Sequence, residues 1–175
     1  MAHKPFWETK SLRQMTVAEW ESLCDGCGLC CLIRFEEETS GDVTPTRVSC
    51  QLFDSGSCRC SDYDNRHKTV PDCIKLTPNN IEDLLWMPLS CAYRRLHEDK
   101  TLPEWHPLIT GDPESVHKAG VSIRGQTINE KSLADPEDAL DFPAYDLMRD
   151  NIERAYNDME FADGTGQWTP ETIAA

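Results

Sequence analysis

The sequence predicts an α+β fold: a mainly helical, loop-rich, small cysteine-rich domain organised around a metal site, with a C-terminal amphipathic helix. Three observations lead there. All nine cysteines fall between Cys24 and Cys91 of a 175-residue chain, and Pro and Gly break the apolar runs of that window into short elements. The third is an acidic end with helical spacing. The predicted division is a cysteine-rich metal-binding domain over residues 5–134 and an acidic extension over residues 135–175.

The elements follow in order. Thr16-Val17-Ala18-Glu19 is a capping box ahead of an apolar Val17, Trp20, Leu23 face, so a short helix delivers Cys24. Cys24-Asp25-Gly26-Cys27-Gly28 must turn tightly, and its glycines permit the positive φ that such a turn needs. Leu29 to Phe35 reads as a resumed helix that holds Cys30 and Cys31 against the turn. Glu36 to Pro45 is an acidic loop, and Thr46 to Phe53 carries enough β-branched and apolar residues for a strand. Asp54-Ser55-Gly56-Ser57 turns the chain and brings Cys58 and Cys60 back towards Cys50. In extended chain a Cys-x-Cys step points both side chains to one face. Thr77-Pro78 starts a helix with Ile81, Leu84 and Leu85 on one face, stopped by Met87-Pro88. Ser90 caps the next helix and puts Cys91 in its first turn, where the helix N-terminus favours thiolate over thiol. From Leu102 loops dominate, with Trp105 packed on the core and a strand expected over Val121 to Arg124. Met148, Ile152, Ala155 and Met159 recur at helical steps, so Ala144 to Phe161 forms the closing amphipathic helix.

Charge excludes whole classes of partner. Lys+Arg 17 against Asp+Glu 31 leaves a net −14 and a pI near 4.6. Phosphate-rich partners need clustered cations, so neither nucleic acid nor an anionic membrane is expected. Between Asp135 and Asp163 ten acidic residues face only Arg149 and Arg154. That helix is a possible protein contact, and a solvated helix docked on the domain is the simpler reading. A mean hydropathy of −0.55 and the lack of an apolar run near the roughly 20 residues of a bilayer span argue against a membrane segment. Met1 to Lys10 has no apolar core of a secretory signal, so a cytoplasmic location is expected.

The cysteines then need a reason. Disulfides are rare in the reducing cytosol, the count is odd, and adjacent Cys30 and Cys31 cannot bridge without strain. Inert burial explains single cysteines better than an array. Thiolate ligation explains the spacing, and it makes Cys24, Cys27, Cys30, Cys31, Cys50, Cys58, Cys60, Cys73 and Cys91 the candidate metal ligands. One tetrahedral site uses four thiolates, two use eight and leave one spare, and a three-metal cluster with bridging sulfurs uses nine, so the count alone does not choose. The Cys24-x-x-Cys27 spacing is common to zinc knuckles and iron–sulfur loops, and its continuation to Cys30 matches the ferredoxin-type opening in part, since Cys31 replaces the later fourth Cys and no Pro follows; zinc and iron, including an iron–sulfur cluster, stand as alternatives. A catalytic metal would add an oxygen or nitrogen donor, with His67, Asp25 and Asp72 nearby. His67 reads more simply as an exposed loop residue and His106 as a satisfied structural one.

Cys24-Asp25-Gly26-Cys27-Gly28-Leu29-Cys30-Cys31 resembles the bacterial CxxCxxCC family, described by zinc or iron chelation, the YkgJ-type domain. Pro5-Phe6-Trp7, Trp20-Glu21-Ser22-Leu23, Asp72-Cys73-Ile74-Lys75-Leu76, Cys91-Ala92-Tyr93-Arg94 and Trp105-His106-Pro107-Leu108 look like its YcgN-type subgroup. The likeness runs from about Pro5 to roughly Leu140. It implies metal chemistry and no established reaction. Flagellin lysine methylases are similar in carrying such a domain, which keeps open an iron–sulfur redox or methyl-transfer-related enzyme. A cytosolic thiol switch at vicinal Cys30 and Cys31 is the third reading.

Overall fold

The capping box at Thr16 forms: its hydroxyl accepts from the Glu19 N–H at 3.2 Å and the Glu19 carboxylate accepts from the Thr16 N–H at 2.8 Å. In the computed structural model, which describes residues 4–84 and 86–147, a one-turn helix α1 (Phe6–Thr9) precedes the helix so capped, α2 (Val17–Ser22). Trp20 and Leu23 are buried while Val17 faces solvent. Trp20 packs on Tyr93 with ring centroids 4.6 Å apart, and the Tyr93 hydroxyl donates to the Trp20 carbonyl at 2.9 Å.

After the cysteine turn the chain departs from the expected helix. Leu29–Cys31 is a single 3-10 turn, and Leu32–Glu36 is a strand, β1. Ile33 and Phe35 favour extended chain, and β1 pairs antiparallel with β2 (Val43–Ser49) from Leu32 opposite Ser49 to Glu36 opposite Val43. A helix over Leu29 to Phe35 would leave that ladder without a partner. The strand expected at Thr46 is β2; it starts three residues earlier and ends before Cys50. The turn at Asp54 closes the small hairpin of β3 (Phe53–Asp54) and β4 (Arg59–Cys60). Cys58 takes a left-handed φ of 59°, so the extended Cys-x-Cys step is not realised: Cys58 turns into the core and Cys60 stays half-buried.

Beyond α3 (Arg66–Thr69), the helix expected from Thr77 is reduced to a 3-10 turn at Ile81–Asp83, and Leu85 lies outside the described residues. Asn80 explains the reduction. Its side chain accepts from the Thr77 N–H at 2.8 Å and donates to the Lys75 carbonyl at 2.9 Å, bonds that compete with a helical turn. The next helix forms as α4 (Ala92–His97), but its N-cap is Cys91, one residue outside the first turn. α5 (Pro107–Thr110) and α6 (Ser115–Lys118) are one-turn helices. Val121 to Arg124 is a turn instead of a strand, because Ile123 donates to the Cys27 carbonyl at 2.9 Å and accepts from the Gln126 N–H. The strand of this region is β5 (Ile128–Asn129), parallel to Val48–Ser49 of β2.

At the far end, Asp135 caps a 3-10 segment, Pro136–Asp141. The chain then runs against β2, with the Arg47 N–H donating to the Phe142 carbonyl and an ion pair between Arg47 and Asp146. Of the span Ala144 to Phe161 predicted as the closing helix, residues 145–147 are helical, and the part from 148 on lies outside the described residues. The fold is thus mixed α+β, and no described helix exceeds six residues.

Two apolar clusters organise it. One gathers Cys27, Leu29, Leu32, Phe53, Cys58, Val116, Val121 and Ile123. The other gathers Trp20, Leu23, Ile81, Met87, Ala92, Tyr93 and Leu102. Leu23 belongs to the second and Cys27 to the first, so the Cys24–Cys31 turn spans the seam between them.

Candidate metal centre

Backbone geometry, more than side-chain packing, shapes the cysteine turn. Gly26 and Gly28 hold φ of 78° and 81°, where a β-carbon is strained. At Gly28 the backbone also passes so close to its neighbours that an added Cβ would stand 2.8 Å from Cys58 Sγ and 2.9 Å from Ile123 Cγ1. Between them the Asp25 carboxylate accepts from the Cys27 N–H at 2.9 Å, closing an Asx turn. Backbone amides work against burial at the sulfurs: Gly26 lowers Cys24, Leu29 lowers Cys27, and Arg94 and Tyr93 lower Cys91. The Leu52 N–H lies 3.5 Å from Cys50 Sγ. Such N–H groups stabilise thiolate charge, the role they play around metal–thiolate centres.

The thiols fall into two neighbourhoods joined at Cys30 and Cys31. Cys24, Cys27, Cys30 and Cys91 act on one another electrostatically around the buried Asp25. Cys50 has Glu130, Cys73 and Cys60 beside it, and Cys31 reaches it across the seam. The Cys50 N–H donates to the Cys31 carbonyl at 2.9 Å. Among the described residues, no three His, Cys, Asp or Glu side chains already stand in ligating positions about one point. The sulfurs therefore share neighbourhoods and do not form a finished cage.

Burial sets their acidity. It pushes the Cys24 thiol up to about 12, with Asp25 and Cys30 adding to the rise. Burial likewise raises Cys27, Cys91 and Cys50, so the helix N-terminus does not win at Cys91. Solvent still reaches Cys24 and Cys30. Cys30 moves the other way. A hydrogen bond from Cys31 holds it below the ordinary thiol range, against burial and with help from Arg34. The same bond, then burial, raises Cys31.

Cys58 stands apart: its thiol donates to the Cys27 carbonyl at 3.4 Å, and burial lifts it to about 11. His67 and Asp72 are exposed. His106 is fully buried with both ring nitrogens engaged, Nε2 on the Leu23 carbonyl at 3.0 Å and Nδ1 accepting from the Leu108 N–H at 3.1 Å, as a structural histidine requires. Trp105 packs against the first cluster. Two neighbours of the thiols were not anticipated: Arg34, whose guanidinium bonds the Leu29 and Leu32 carbonyls, and Glu130 beside Cys50. A lone arginine in the apolar run Leu29 to Phe35 is the signal that marks the first.

Comparison with known proteins places this arrangement. The CxxCxxCC family model, described as "putative zinc- or iron-chelating domain", matches residues 23–92, the span that contains the cysteine turn and Cys91. A UPF0260 protein of Caulobacter sp. (strain K31) is 76% identical over 152 residues, covering 87% of this chain and 94% of its own. The chain belongs to the UPF0260 family. A UPF0260 protein of Caulobacter vibrioides is 71% identical over 90% of this chain and 97% of its own length. One of Allorhizobium ampelinum is 54% identical over 85% and 96%. No solved structure matches the chain. Among the described residues of this UPF0260 protein, no helix is long and apolar enough to cross a membrane.

The UPF0260 turn fits a thiophilic cation by its donors. Zinc and iron both accept thiolate, and the family description names both. A shared cation would also offset the cost of deprotonating the buried thiols. The Asp25 carboxylate, on the same turn, keeps one oxygen, Oδ2, buried without a hydrogen-bond partner.

Proposed function

We propose that this UPF0260 protein holds zinc or iron through clustered cysteine thiolates. One observation carries the reading: the Cys24–Cys31 turn, with backbone amides that work against burial at its sulfurs, stands beside Cys91 at the N-cap of α4. Cys24, Cys27, Cys30 and Cys91 provide one group of ligands, and Cys31, Cys50, Cys60 and Cys73 the second. Cys58 is the ninth thiol and stays structural, bonded to the Cys27 carbonyl. Binding of structural zinc is worth about 10–16 kcal/mol in small domains, comparable to the roughly 5–15 kcal/mol net stability of a typical protein, so metal organises the module. Reduced thiols fit a cytoplasmic setting, and the net −14 disfavours nucleic acid as a partner.

Elemental analysis with a visible spectrum, on full-length protein purified without oxygen, tests this. Expected are stoichiometric zinc or iron, its loss in Cys27→Ser and Cys91→Ser, and its retention in Cys58→Ala. A colourless zinc protein removes the iron–sulfur redox or methyl-transfer enzyme, which rests on the ferredoxin-like triplet and the family resemblance. A brown protein that becomes EPR-active on reduction selects it. Metal-free protein with readily titrated thiols and ordinary melting overturns metal binding and selects a thiol switch at Cys30 and Cys31.

A further inference from the structure

Building on that metal-binding reading, we infer that Asp25 is an oxygen donor: its Oδ2 takes one of four coordination positions on a cation shared with three of the thiolates Cys24, Cys27, Cys30 and Cys91.

The two carboxylate oxygens of Asp25 have different fates. Oδ1 accepts from the Cys27 N–H and builds the Asx turn. Oδ2 is buried and has no hydrogen-bond partner, in a residue only 6% exposed. A turn needs one oxygen, and asparagine supplies it equally well. A second oxygen left unsatisfied in the interior costs about 1–3 kcal/mol, and more if charged. The nearby imidazole of His106 does not satisfy it, because both ring nitrogens are engaged by Leu23 and Leu108. The surrounding side chains make the arrangement odder still. Asp25 acts as a like-charged neighbour on Cys24, Cys27, Cys30 and Cys91. A cation among these groups would draw off their protons and turn the unpaired oxygen into a ligand, with four of the five donors completing a tetrahedral set.

The chemistry narrows the metal. Mixed sulfur and oxygen donors suit zinc and ferrous iron, which accept carboxylate beside thiolate, and they disfavour Cu(I), which selects sulfur. His67 and Asp72, the other non-sulfur candidates in the sequence, are exposed and offer no such placement.

The experiment uses the full chain, loaded separately with Zn(II) and Co(II), alongside Asp25→Asn, which keeps the Asx acceptor and replaces Oδ2 with an amide nitrogen. In the native protein, zinc X-ray absorption should fit a shell of sulfur plus oxygen. In Asp25→Asn the oxygen contribution should fall, the visible Co(II) bands should shift, and zinc affinity by chelator competition should drop about tenfold or more. Thermal unfolding of the metal-free variant should match the native protein, which separates a lost ligand from a broken turn. A sulfur-only shell in the native protein, or unchanged bands and affinity in Asp25→Asn, overturns the role of Asp25 and leaves metal binding standing. Uptake of neither ion overturns both.

Discussion

His106 Nε2 lies 3.0 Å from the carbonyl oxygen of Leu23, 83 residues away, and so ties the segment after Pro103 to the residue that delivers Cys24. The Leu108 N–H donates to Nδ1, so the ring proton sits on Nε2 and points at Leu23. His106→Ala removes a fully buried side chain and orphans both backbone groups. The expected cost is about 2–4 kcal/mol, from the lost packing and the unpaired polar groups. Urea unfolding of the metal-free protein measures it; a change under about 0.5 kcal/mol, the scale of ordinary surface substitutions, refutes this account of the tie.

Acid should loosen the same tie. Burial holds the His106 imidazole below its ordinary 6.5, and charging it would put a second ring proton against the Leu108 N–H. With the folded value below the unfolded one, the unfolded chain binds more protons between the two, so stability rises with pH across that window. Above the ordinary imidazole range the contribution is constant; it is lost as pH falls through the unfolded value towards the folded one. His117 is lowered by burial too and adds the same sign. Urea midpoints of metal-free protein between about pH 5 and 8 should therefore climb with pH, and less steeply in His106→Gln. An equal slope in the variant assigns the effect elsewhere.

Gly28 meets both demands that favour glycine, a left-handed φ of 81° and a crowded α-carbon. A methyl there meets Cys58 Sγ and Phe53 Cζ at 2.8 Å, inside the first apolar cluster. Backbone strain of about 1–2 kcal/mol and overpacking of about 1–3 kcal/mol combine. Gly28→Ala should lower the melting temperature sharply or yield insoluble protein. Gly41→Ala, with a φ of 74° but open space around it, should cost only the backbone share. Equal losses at the two positions would show that crowding is irrelevant.

How far the sequence speaks for this molecule follows the range of the forces involved. The Thr16 capping box, the glycines of the cysteine turn and the Asp54 turn are local devices, and each forms where its residues stand. Elements decided by distant partners are not legible in their own residues. Leu32–Glu36 became a strand because β2 offers a ladder, and Val121 to Arg124 became a turn because the Cys27 carbonyl, nearly a hundred residues back, accepts from Ile123. The thiols divide the same way. The Cys24–Cys31 turn was evident from spacing, whereas the separation of Cys58 depends on a left-handed backbone that no spacing rule reveals. The burial of Asp25 also required the folded chain, since an acidic residue in a glycine-rich turn reads as exposed.

Arg34 makes the last prediction, because its position is overdetermined. Nη1 donates to the Leu32 carbonyl at 3.0 Å, Nη2 to the Leu29 carbonyl at 2.6 Å, and the guanidinium lies 4.6 Å from the Trp86 ring centroid. So held, its charge lowers Cys30 in support of the hydrogen bond from Cys31, while Cys31 is raised by that bond and by burial. Solvent reaches Cys30. In metal-free, reduced protein near neutral pH, iodoacetamide should therefore label Cys30 before Cys31, with mass mapping as the readout. Arg34→Gln keeps a donor without the charge and should slow labelling of Cys30 severalfold. Arg34→Lys keeps the charge without the planar fork and should fall between. If Gln and Lys slow it equally, the arginine acts by shaping the Leu29 to Leu32 backbone and its charge contributes nothing to the thiolate; if neither slows it, the hydrogen bond from Cys31 alone sets the reactivity of Cys30.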